Sequence, residues 1–224
     1  MPVDPKAPVR ISAFRWVPDF ARGQVRDLRV RWALEEAGIP YSVRKLDALS
    51  ERPADYLAEQ PWGQVPSYRD EEVQLFESGA IVLHVGGKSE ALLPTDLQGR
   101  ARATAWLIAA LNSVEPPLMQ LALLDLFWAK EPWAEEARPK VVNLVEGRLD
   151  RLAGWLGDKE WLEDRFTAGD LLMVTVLRIL DHTEILAGRP NLAAYKERGI
   201  ARPAFQAALA AQLADFDALE PADA

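Results

Sequence analysis

The sequence predicts an α/β domain followed by an all-α domain, and three observations support this fold class. Short β-branched and aromatic segments alternate with helical patterns up to about residue 87. From about residue 97 onward, only helical periodicity remains. The segment between them, GGKSEALLPTDLQGR, is polar and contains glycine, as expected of a connection between domains. Hydrophobic residues make up 49% of the 224 residues, which is enough to build a core in each domain.

The first domain is predicted to follow the order β-α-β-loop-β-β-α. Its strands mix β-branched and aromatic residues, whereas its first helix repeats Val25, Leu28 and Trp32 at helical spacing. Gly38 is a natural stop for that helix, because glycine readily adopts the left-handed conformation that closes a C-terminus. In order, the segments are the strand VRISAFRW, the helix QVRDLRVRWALEEA, the strand YSVRKLD, the loop ALSERPADYLAEQPWGQ, the hairpin VPSYRDEEVQLF and the helix ESGAIVLHVGG.

The second domain is predicted to consist of helices alone. Pro116 and Pro117 are expected to end a helix, because proline lacks the backbone N–H that an interior position needs. The predicted helices are 97–114, 118–130, 134–156, 171–186 and 203–219. The expected domain organisation is an N-terminal arm at 1–8, a first domain at 9–87, a linker at 88–96 and the helical domain at 97–224.

Composition excludes several kinds of site. The chain has no cysteine, so disulfides, thiolate metal sites and a cysteine nucleophile are absent. Its two histidines, His84 and His182, lie far apart without metal-site spacing, and no metal centre is expected. A formal net charge of -8 disfavours nucleic acid as a partner. No apolar run approaches the ~18 residues that cross a bilayer, and the proline-rich start lacks a signal core. We therefore expect a cytoplasmic protein that binds neither nucleic acid nor membrane.

Three segments carry a resemblance to a known family. RWALEEAGIPY, QPWGQVPSYRDEEVQLFESGAIVLHV and FTAGDLLM occur in this order, with the predicted domain change between the second and the third. Each is similar to a segment of the cytosolic glutathione transferases, and the second is the most specific of the three. The resemblance covers nearly all of the chain after the arm. It implies a thioredoxin-like first domain that binds glutathione, an all-α second domain, an acceptor pocket between the two and a homodimer.

The most specific segment implies the glutathione-binding residues. By resemblance, the Val65–Pro66 peptide is cis, and the backbone of Val65 pairs with the cysteinyl part of glutathione. Ser78 is implied to hold the γ-glutamyl carboxylate at a helix N-terminus, with Glu77 against the ammonium group. Gln64 is implied to lie near the glycyl carboxylate. The structural alternatives are a trans proline at a strand start, an ordinary N-cap at Ser78 and a helix-start acid at Glu77.

Two further sets of residues belong to the second domain. Thr167 and Asp170 form a T-x-x-D pattern before an apolar run, which predicts a capping box and a role in folding. Trp106, Phe127 and Trp128 lie where the resemblance implies the acceptor pocket, and aromatic walls suit an apolar electrophile. Packing within the core or between domains is an equal alternative for these rings.

The residue that would favour the thiolate is missing from its expected place. Many relatives use Tyr, Ser or Cys just after the first strand, but none of these residue types occurs in 15–29. Arg22, Arg26 and Arg29 are spaced to share one face if the helix extends back that far. We therefore hypothesise that backbone amides of 20–23, with Arg22 or Arg26, stabilise the thiolate. The alternatives are that these arginines pair with acids on the surface or form a clamp between the two domains.

Two functions are compatible with these expectations. The first is an enzyme that conjugates or adds glutathione to small hydrophobic electrophiles, a detoxification activity, with glutathione as cosubstrate and no tightly bound cofactor. The alternative is a non-catalytic module of the same fold that binds glutathione, another ligand or a protein. The missing hydroxyl favours the module, whereas the retained block from Gln64 to Ser78 favours the enzyme. A glutathione-dependent reductase or peroxidase is less favoured, because such relatives commonly use a cysteine.

Overall fold

The computed structural model describes residues 3–216, and a four-stranded sheet forms the centre of its first unit. The strands are Val9–Phe14 (β1), Tyr41–Leu46 (β2), Ser67–Arg69 (β3) and Gln74–Phe76 (β4). Their order in the sheet is β2-β1-β3-β4. β1 is parallel to β2 and antiparallel to β3, and β3 and β4 form the predicted hairpin. The apolar residues of β1 are buried, which places the core of this unit against its sheet.

Three helices complete the α/β part of this unit. They are α1 (Asp27–Ala37), α2 (Ala54–Glu59) and α3 (Ser78–Gly87). Gly38 has a φ of 66° and ends α1, as predicted. α2 is the short helical turn within the segment predicted as a loop, and α3 follows β4 directly. The resulting order β-α-β-α-β-β-α confirms the thioredoxin-like fold that the sequence implies.

The start of α1 differs from the prediction. The helix begins at Asp27, three residues after the predicted start at Gln24, and Gly23 before it has a φ of 77° that a right-handed helix cannot contain. Arg22 therefore lies in the loop before the helix, and Arg26 occupies the N-cap position. The expectation that Arg22, Arg26 and Arg29 share one helical face is wrong for this reason.

The second unit, residues 93–201, is helical throughout its regular structure. Its first helix, α4, runs continuously from Leu97 to Phe127 and includes two π-helical turns, Ala110–Val114 and Leu123–Phe127. The predicted break at Pro116 and Pro117 is wrong. These prolines begin the α-helical stretch that follows the first π-turn, where the change of hydrogen-bond spacing accommodates residues without an N–H.

The remaining helices match the predictions unequally. α5 (Pro132–Leu156) covers the predicted 134–156. α6 (Ala168–Leu177) is shorter than the predicted 171–186, and separate 3-10 turns follow it at Arg178–Leu180 and Ile185–Gly188. No helix is predicted at α7 (Pro190–Ile200), although a proline at its first position is a typical start signal. The last helix, α8 (Pro203–Asp215), covers most of the predicted 203–219. Residues 217–219 of that prediction lie outside the described residues.

The last helix belongs to the first unit and not to the helical one. Residues up to Leu92 and from Arg202 onward form one compact unit, whereas the predicted boundary assigns 97–224 to a single helical domain. Arg202 pairs with the Glu36 carboxylate through Nε (2.6 Å) and Nη2 (2.8 Å). Phe205 packs edge-on against Trp32, with ring centroids 4.9 Å apart. These contacts attach α8 to α1, so the α/β unit is discontinuous in sequence.

One described helix, α4, is long and apolar enough to span a membrane by length and composition alone, so the expectation that no apolar run approaches that length is wrong. Half of its most apolar stretch is buried within the protein. The core helix of a soluble protein meets the same test.

Candidate functional site

The Val65–Pro66 peptide lies between α2 and β3 and is cis, as the resemblance implies. Both residues are buried. Neither the amide nor the carbonyl of Val65 forms a hydrogen bond with another of residues 3–216. Since the backbone groups of buried residues are nearly always paired, these two groups are suited to bind a peptide. The adjacent Gln64 side chain is exposed and has no partner within the same residues.

Buried hydroxyl groups hold the backbone on both sides of this peptide. The Tyr56 hydroxyl donates to the Gln64 carbonyl (2.5 Å), and the Ser67 amide donates to Ser12 Oγ (2.7 Å). The hydroxyl oxygens of Ser12 and Tyr56 are 2.7 Å apart, so Ser12 donates to Tyr56, whose single proton is already used. Burial raises the pKa of Tyr56, which keeps its hydroxyl protonated. The network fixes the chain around Val65 and leaves no unused hydroxyl proton on Tyr56 or Ser12.

The N-terminus of α3 forms the second part of the site. Ser78 is the first helical residue and is buried, and its Oγ accepts a hydrogen bond from Arg29 Nη1 (3.3 Å). The alternative in which Ser78 is the N-cap is wrong, because Glu77 holds that position and makes no side-chain capping bond. The first-turn amides of α3, the Ser78 hydroxyl and the buried Arg29 guanidinium all favour a carboxylate at this end of the helix.

Glu77 precedes this turn in an uncommon backbone conformation. Its φ is 69° and its ψ is 115°, and no other non-glycine residue among those described has a positive φ. Such a conformation costs about 1 kcal/mol or more for a residue with a side chain. The Glu77 carboxylate forms no hydrogen bond or ion pair with another described residue. A charged group held at such a cost, without a partner among residues 3–216, is typical of a ligand contact.

The start of α1 contacts both parts of the site. The side chain of Val25 packs against a buried cluster formed by Leu46, Tyr56 and Val65. One turn later, Arg29 reaches Ser78. The amide of Val25 has no hydrogen-bond partner in the part of the chain that the structure describes. Residues at the start of α1 therefore contact both the cluster that contains Val65 and the start of α3.

The groups hypothesised to bind the thiolate are partly used elsewhere. The amide of Ala21 donates to the Pro18 carbonyl (2.9 Å), and the amide of Arg22 donates to the Asp19 carbonyl (3.2 Å). Arg22 Nε also lies 3.3 Å from the Asp19 carboxylate, which is the surface pairing given above as one alternative. Arg26 makes no side-chain capping bond at the start of α1. The catalytic role of Arg22 and Arg26 stays a prediction.

The three aromatic residues predicted for the acceptor pocket do not lie together. Trp106 packs on Trp155 with ring centroids 5.2 Å apart, and its indole N–H donates to Glu163 (2.6 Å). Phe127 and Trp128 are exposed and follow roughly 30 Å farther along the α4 axis, from the rise per residue of a helix. Trp106 therefore packs within the second unit, whereas the assignment of Phe127 and Trp128 stays a prediction.

A cleft with a volume of about 740 Å³ lies beside the end of α4, within the second unit. Leu124, Val142 and Ile185 contribute apolar lining. Arg138 donates to the Asp125 carboxylate through Nε (2.6 Å) and Nη2 (3.1 Å), and both residues also line the cleft. Its size falls in the range of small-molecule pockets.

The predicted capping box at the start of α6 is confirmed. Thr167 Oγ1 accepts from the Gly169 amide (3.2 Å), and the Asp170 carboxylate accepts from the Thr167 amide (2.9 Å). Asp170 also accepts from the Leu162 amide (2.9 Å) and from the Tyr195 hydroxyl (3.0 Å). Because these bonds are buried and internal to the second unit, Thr167 and Asp170 stabilise the fold.

Sequence patterns alone do not identify the buried residues that form hydrogen bonds to the site residues and hold them in place. A signal exists for Ser12, because a polar residue in an apolar strand needs a buried partner. A signal also exists for Arg29, which stands between two apolar residues on the buried side of α1. Nothing in the sequence links Tyr56 to the Gln64 carbonyl.

Comparison with known proteins places this geometry in a family. The family model for the glutathione S-transferase N-terminal domain matches residues 20–87, and that for the C-terminal domain matches 114–203. Probable glutathione S-transferase GSTF2 of Oryza sativa subsp. japonica is 31% identical over 188 residues, which cover 77% of this chain and 86% of the relative. The crystal structure of poplar glutathione transferase F1 has a TM-score of 0.79 at 25% identity and covers 92% of this chain and 98% of its own. A glutathione transferase family member from Pseudomonas fluorescens pf-5, with two glutathione bound, has a TM-score of 0.79 at 22% identity, with coverages of 90% and 92%. The two domain models and the similarity to the rice protein show that this chain belongs to the cytosolic glutathione transferase superfamily.

Proposed function

We propose that this protein binds glutathione on its first unit and conjugates glutathione, through its sulfur, to small apolar electrophiles. One observation carries the proposal: at the start of α1, Val25 packs against the cluster that contains Val65 and Arg29 reaches Ser78 at the start of α3. The Pseudomonas fluorescens structure of the same fold has two glutathione bound, which supports glutathione as the ligand.

The γ-glutamyl end of glutathione is an amino acid zwitterion, and the start of α3 offers one group for each charge. The α-carboxylate would accept from the first-turn amides and from the Ser78 hydroxyl, whose oxygen already accepts from Arg29. The ammonium group would pair with the Glu77 carboxylate, which lacks a partner among residues 3–216. This arrangement explains why Ser78, which favours a negative group, directly follows Glu77, which favours a positive one.

The cysteinyl part of glutathione would pair with the amide and carbonyl of Val65, in the manner of an added strand. The hydroxyl network around Tyr56 and Ser12 keeps those two groups fixed before the ligand binds. A fixed peptide orients the sulfur and lowers the entropic cost of the reaction. Gln64, whose side chain is exposed, remains our candidate for the glycyl carboxylate.

Reaction requires the thiolate, because a free thiol has a pKa of about 8.5 and is mostly protonated at neutral pH. Its proton would leave to solvent, and the sulfur lone pair would form a carbon–sulfur bond. In a substitution, the leaving group departs with its electron pair. The start of α1, with the free amide of Val25 and the positive end of the helix dipole, would stabilise the thiolate. Arg22 and Arg26 remain candidates for a supporting charge.

The acceptor is proposed to be a small hydrophobic electrophile. The cleft beside the end of α4 supports this class through its volume and its apolar lining. Phe127 and Trp128, which follow the same end of α4, are retained as acceptor contacts. We also propose a cytoplasmic homodimer, which light scattering would detect as a mass near twice 25.0 kDa.

Calorimetry followed by a turnover assay tests the function. We expect binding of glutathione and not of cysteinylglycine, which lacks the γ-glutamyl group, and then conjugation of at least one member of an aryl halide and enone panel. Absence of heat with glutathione would overturn the proposal. Binding without turnover would favour the non-catalytic module, which the lack of Tyr, Ser and Cys in 15–29 supports.

A further inference from the structure

We infer that Gln212, on the last helix of the chain, is a positioning residue of the glutathione site. This inference rests on the proposed function. Gln212 would act on the bound thiol through the start of α1, without touching glutathione itself.

The contacts of Gln212 join α8 to the first residues of α1. Its side chain is buried, and its Nε2 donates to the Val25 carbonyl (3.1 Å) and to the Asp27 carboxylate (2.6 Å). Its Oε1 has no hydrogen-bond partner in the described residues. Since an unpaired buried carbonyl is unfavourable, the side chain is oriented for its two donor bonds, both of which hold α1.

A second set of bonds fixes the same end of α8. Arg31 donates to Asp27 through Nε (2.7 Å) and to Asp215 through Nη2 (2.6 Å). Lys45, on β2, also pairs with Asp215 (3.0 Å). Asp27 is therefore bound from one side by Gln212 and from the other by Arg31. This arrangement leaves little freedom for the backbone at Val25 and Asp27.

This position controls the surroundings of the thiol in two ways. Val25 packs in the cluster that contains Val65, so a shift of Val25 would move an amide at the place where the sulfur is proposed to bind. Gln212 also shares the negative charge of Asp27 with Arg31 at the start of α1, and a carboxylate left to Arg31 alone would oppose a thiolate more strongly. Loss of the Gln212 amide would therefore disfavour the thiolate while leaving the γ-glutamyl contacts at α3 intact.

The test compares Gln212→Met, which keeps the side-chain volume and removes both donors, with Leu213→Met on the exposed side of α8. Calorimetry gives the affinity for glutathione, and ultraviolet titration of the thiolate gives the pKa of the bound thiol. For Gln212→Met we expect an affinity within about twofold of the parent. We expect the thiol pKa to rise by about one unit and kcat at neutral pH to fall about tenfold. Leu213→Met should change neither quantity.

An unchanged thiol pKa in a folded Gln212→Met protein would overturn the inference, because a merely structural role would alter stability alone. If Gln212→Met does not fold, Gln212→Asn replaces it, since it keeps the amide but cannot reach both acceptors, and the same rise in thiol pKa is expected. If the unaltered protein does not bind glutathione, the proposed function fails and this inference fails with it. If the parent binds glutathione and lowers the pKa of its thiol, and Gln212→Met gives the same values, only the positioning role of Gln212 is overturned.

Discussion

Glu77 is the residue at which a conformational cost and a proposed contact coincide. A glycine would adopt a φ of 69° more easily, and Ser, Thr, Asp or Asn would satisfy the N-cap position better. The chain places a glutamate there that neither caps the helix nor pairs with another described residue. A role outside the fold, such as holding an ammonium group, accounts for all three facts.

We predict that Glu77→Gln and Glu77→Gly separate these properties. Glutamine keeps the conformational cost and removes the charge, so the affinity for glutathione should fall about tenfold, with stability changed by less than about 0.5 kcal/mol. Glycine removes the charge and the conformational cost. The affinity for glutathione should therefore fall by the same factor as in Glu77→Gln, while the free energy of unfolding rises by about 1 kcal/mol. Calorimetry and urea denaturation measure the two quantities. Parent-like affinity in either variant would contradict the ammonium contact.

The positions of single site residues could be predicted from the sequence where these residues belong to one contiguous segment. Val65, Pro66, Glu77 and Ser78 lie within a short stretch of sequence, so their order alone indicates their places. The basic group near Ser78 could not be predicted in this way. Its identity as Arg29 depends on where α1 begins, and a shift of three positions rotates a helix by most of a turn.

At the scale of elements, Asp70 attaches the β3–β4 hairpin to α3. Its carboxylate accepts from Lys88 (2.7 Å), His84 (3.1 Å) and the Tyr68 hydroxyl (2.9 Å). Burial raises the pKa of Asp70, but hydrogen bonds from Lys88, the Val73 amide and His84 outweigh burial and hold that pKa well below its usual value. The carboxylate is therefore ionised throughout the neutral range and keeps the hairpin beside the helix that carries Ser78.

We predict that Asp70→Asn lowers the free energy of unfolding by about 2 kcal/mol at neutral pH. Because the folded-state pKa lies below the unfolded-state value of about 3.9, the contribution of Asp70 is complete above about pH 4 and is lost as the pH falls toward the folded pKa. The difference in the free energy of unfolding between the parent and Asp70→Asn should therefore become smaller in acid. Urea denaturation across this range measures it, with the exposed Glu71→Gln as control. A gap that stays constant below pH 4 would contradict the charge-based account.

Helices were easier to predict from the sequence than the joints between them. The helical periodicity that predicts 134–156 and the capping box of α6 are local patterns, and both helices are found. The continuity of α4 through Pro116 and Pro117 is not a local property, because it depends on a π-turn that ends two residues before Pro116. A pattern method that treats every proline pair as a break will divide such a helix.

At the scale of the molecule, the α/β unit is completed by a helix from the far end of the chain. The pairs Arg202–Glu36 and Arg31–Asp215 and the rings of Trp32 and Phe205 all join α8 to α1. Sequence patterns do not predict contacts between residues so far apart. For this reason the sequence-based prediction places α8 in the helical domain. The fold class could be predicted from the order of elements, whereas this long-range pairing needed coordinates.

We predict that residues 1–92 do not fold alone, and that the same residues joined by a flexible linker to 202–224 do. Without α8, the apolar face around Trp32 is uncovered and the buried Arg31 loses Asp215. Circular dichroism and dispersion of amide resonances distinguish the two fragments. Phe205→Ala in the linked fragment should weaken it by about 3 kcal/mol. A folded 1–92 fragment would show that α8 is dispensable.

The return of α8 to α1 has a consequence for biosynthesis. Protein domains ordinarily fold in the order in which they leave the ribosome. Here residues 93–201 form a contiguous unit whose full sequence has emerged before Arg202 is available. The α/β unit, whose first residues are made earlier, therefore cannot be completed until the residues of α8 have been made, and one face of α1 stays uncovered in the meantime. The unit whose synthesis begins first is thus the second of the two to be completed.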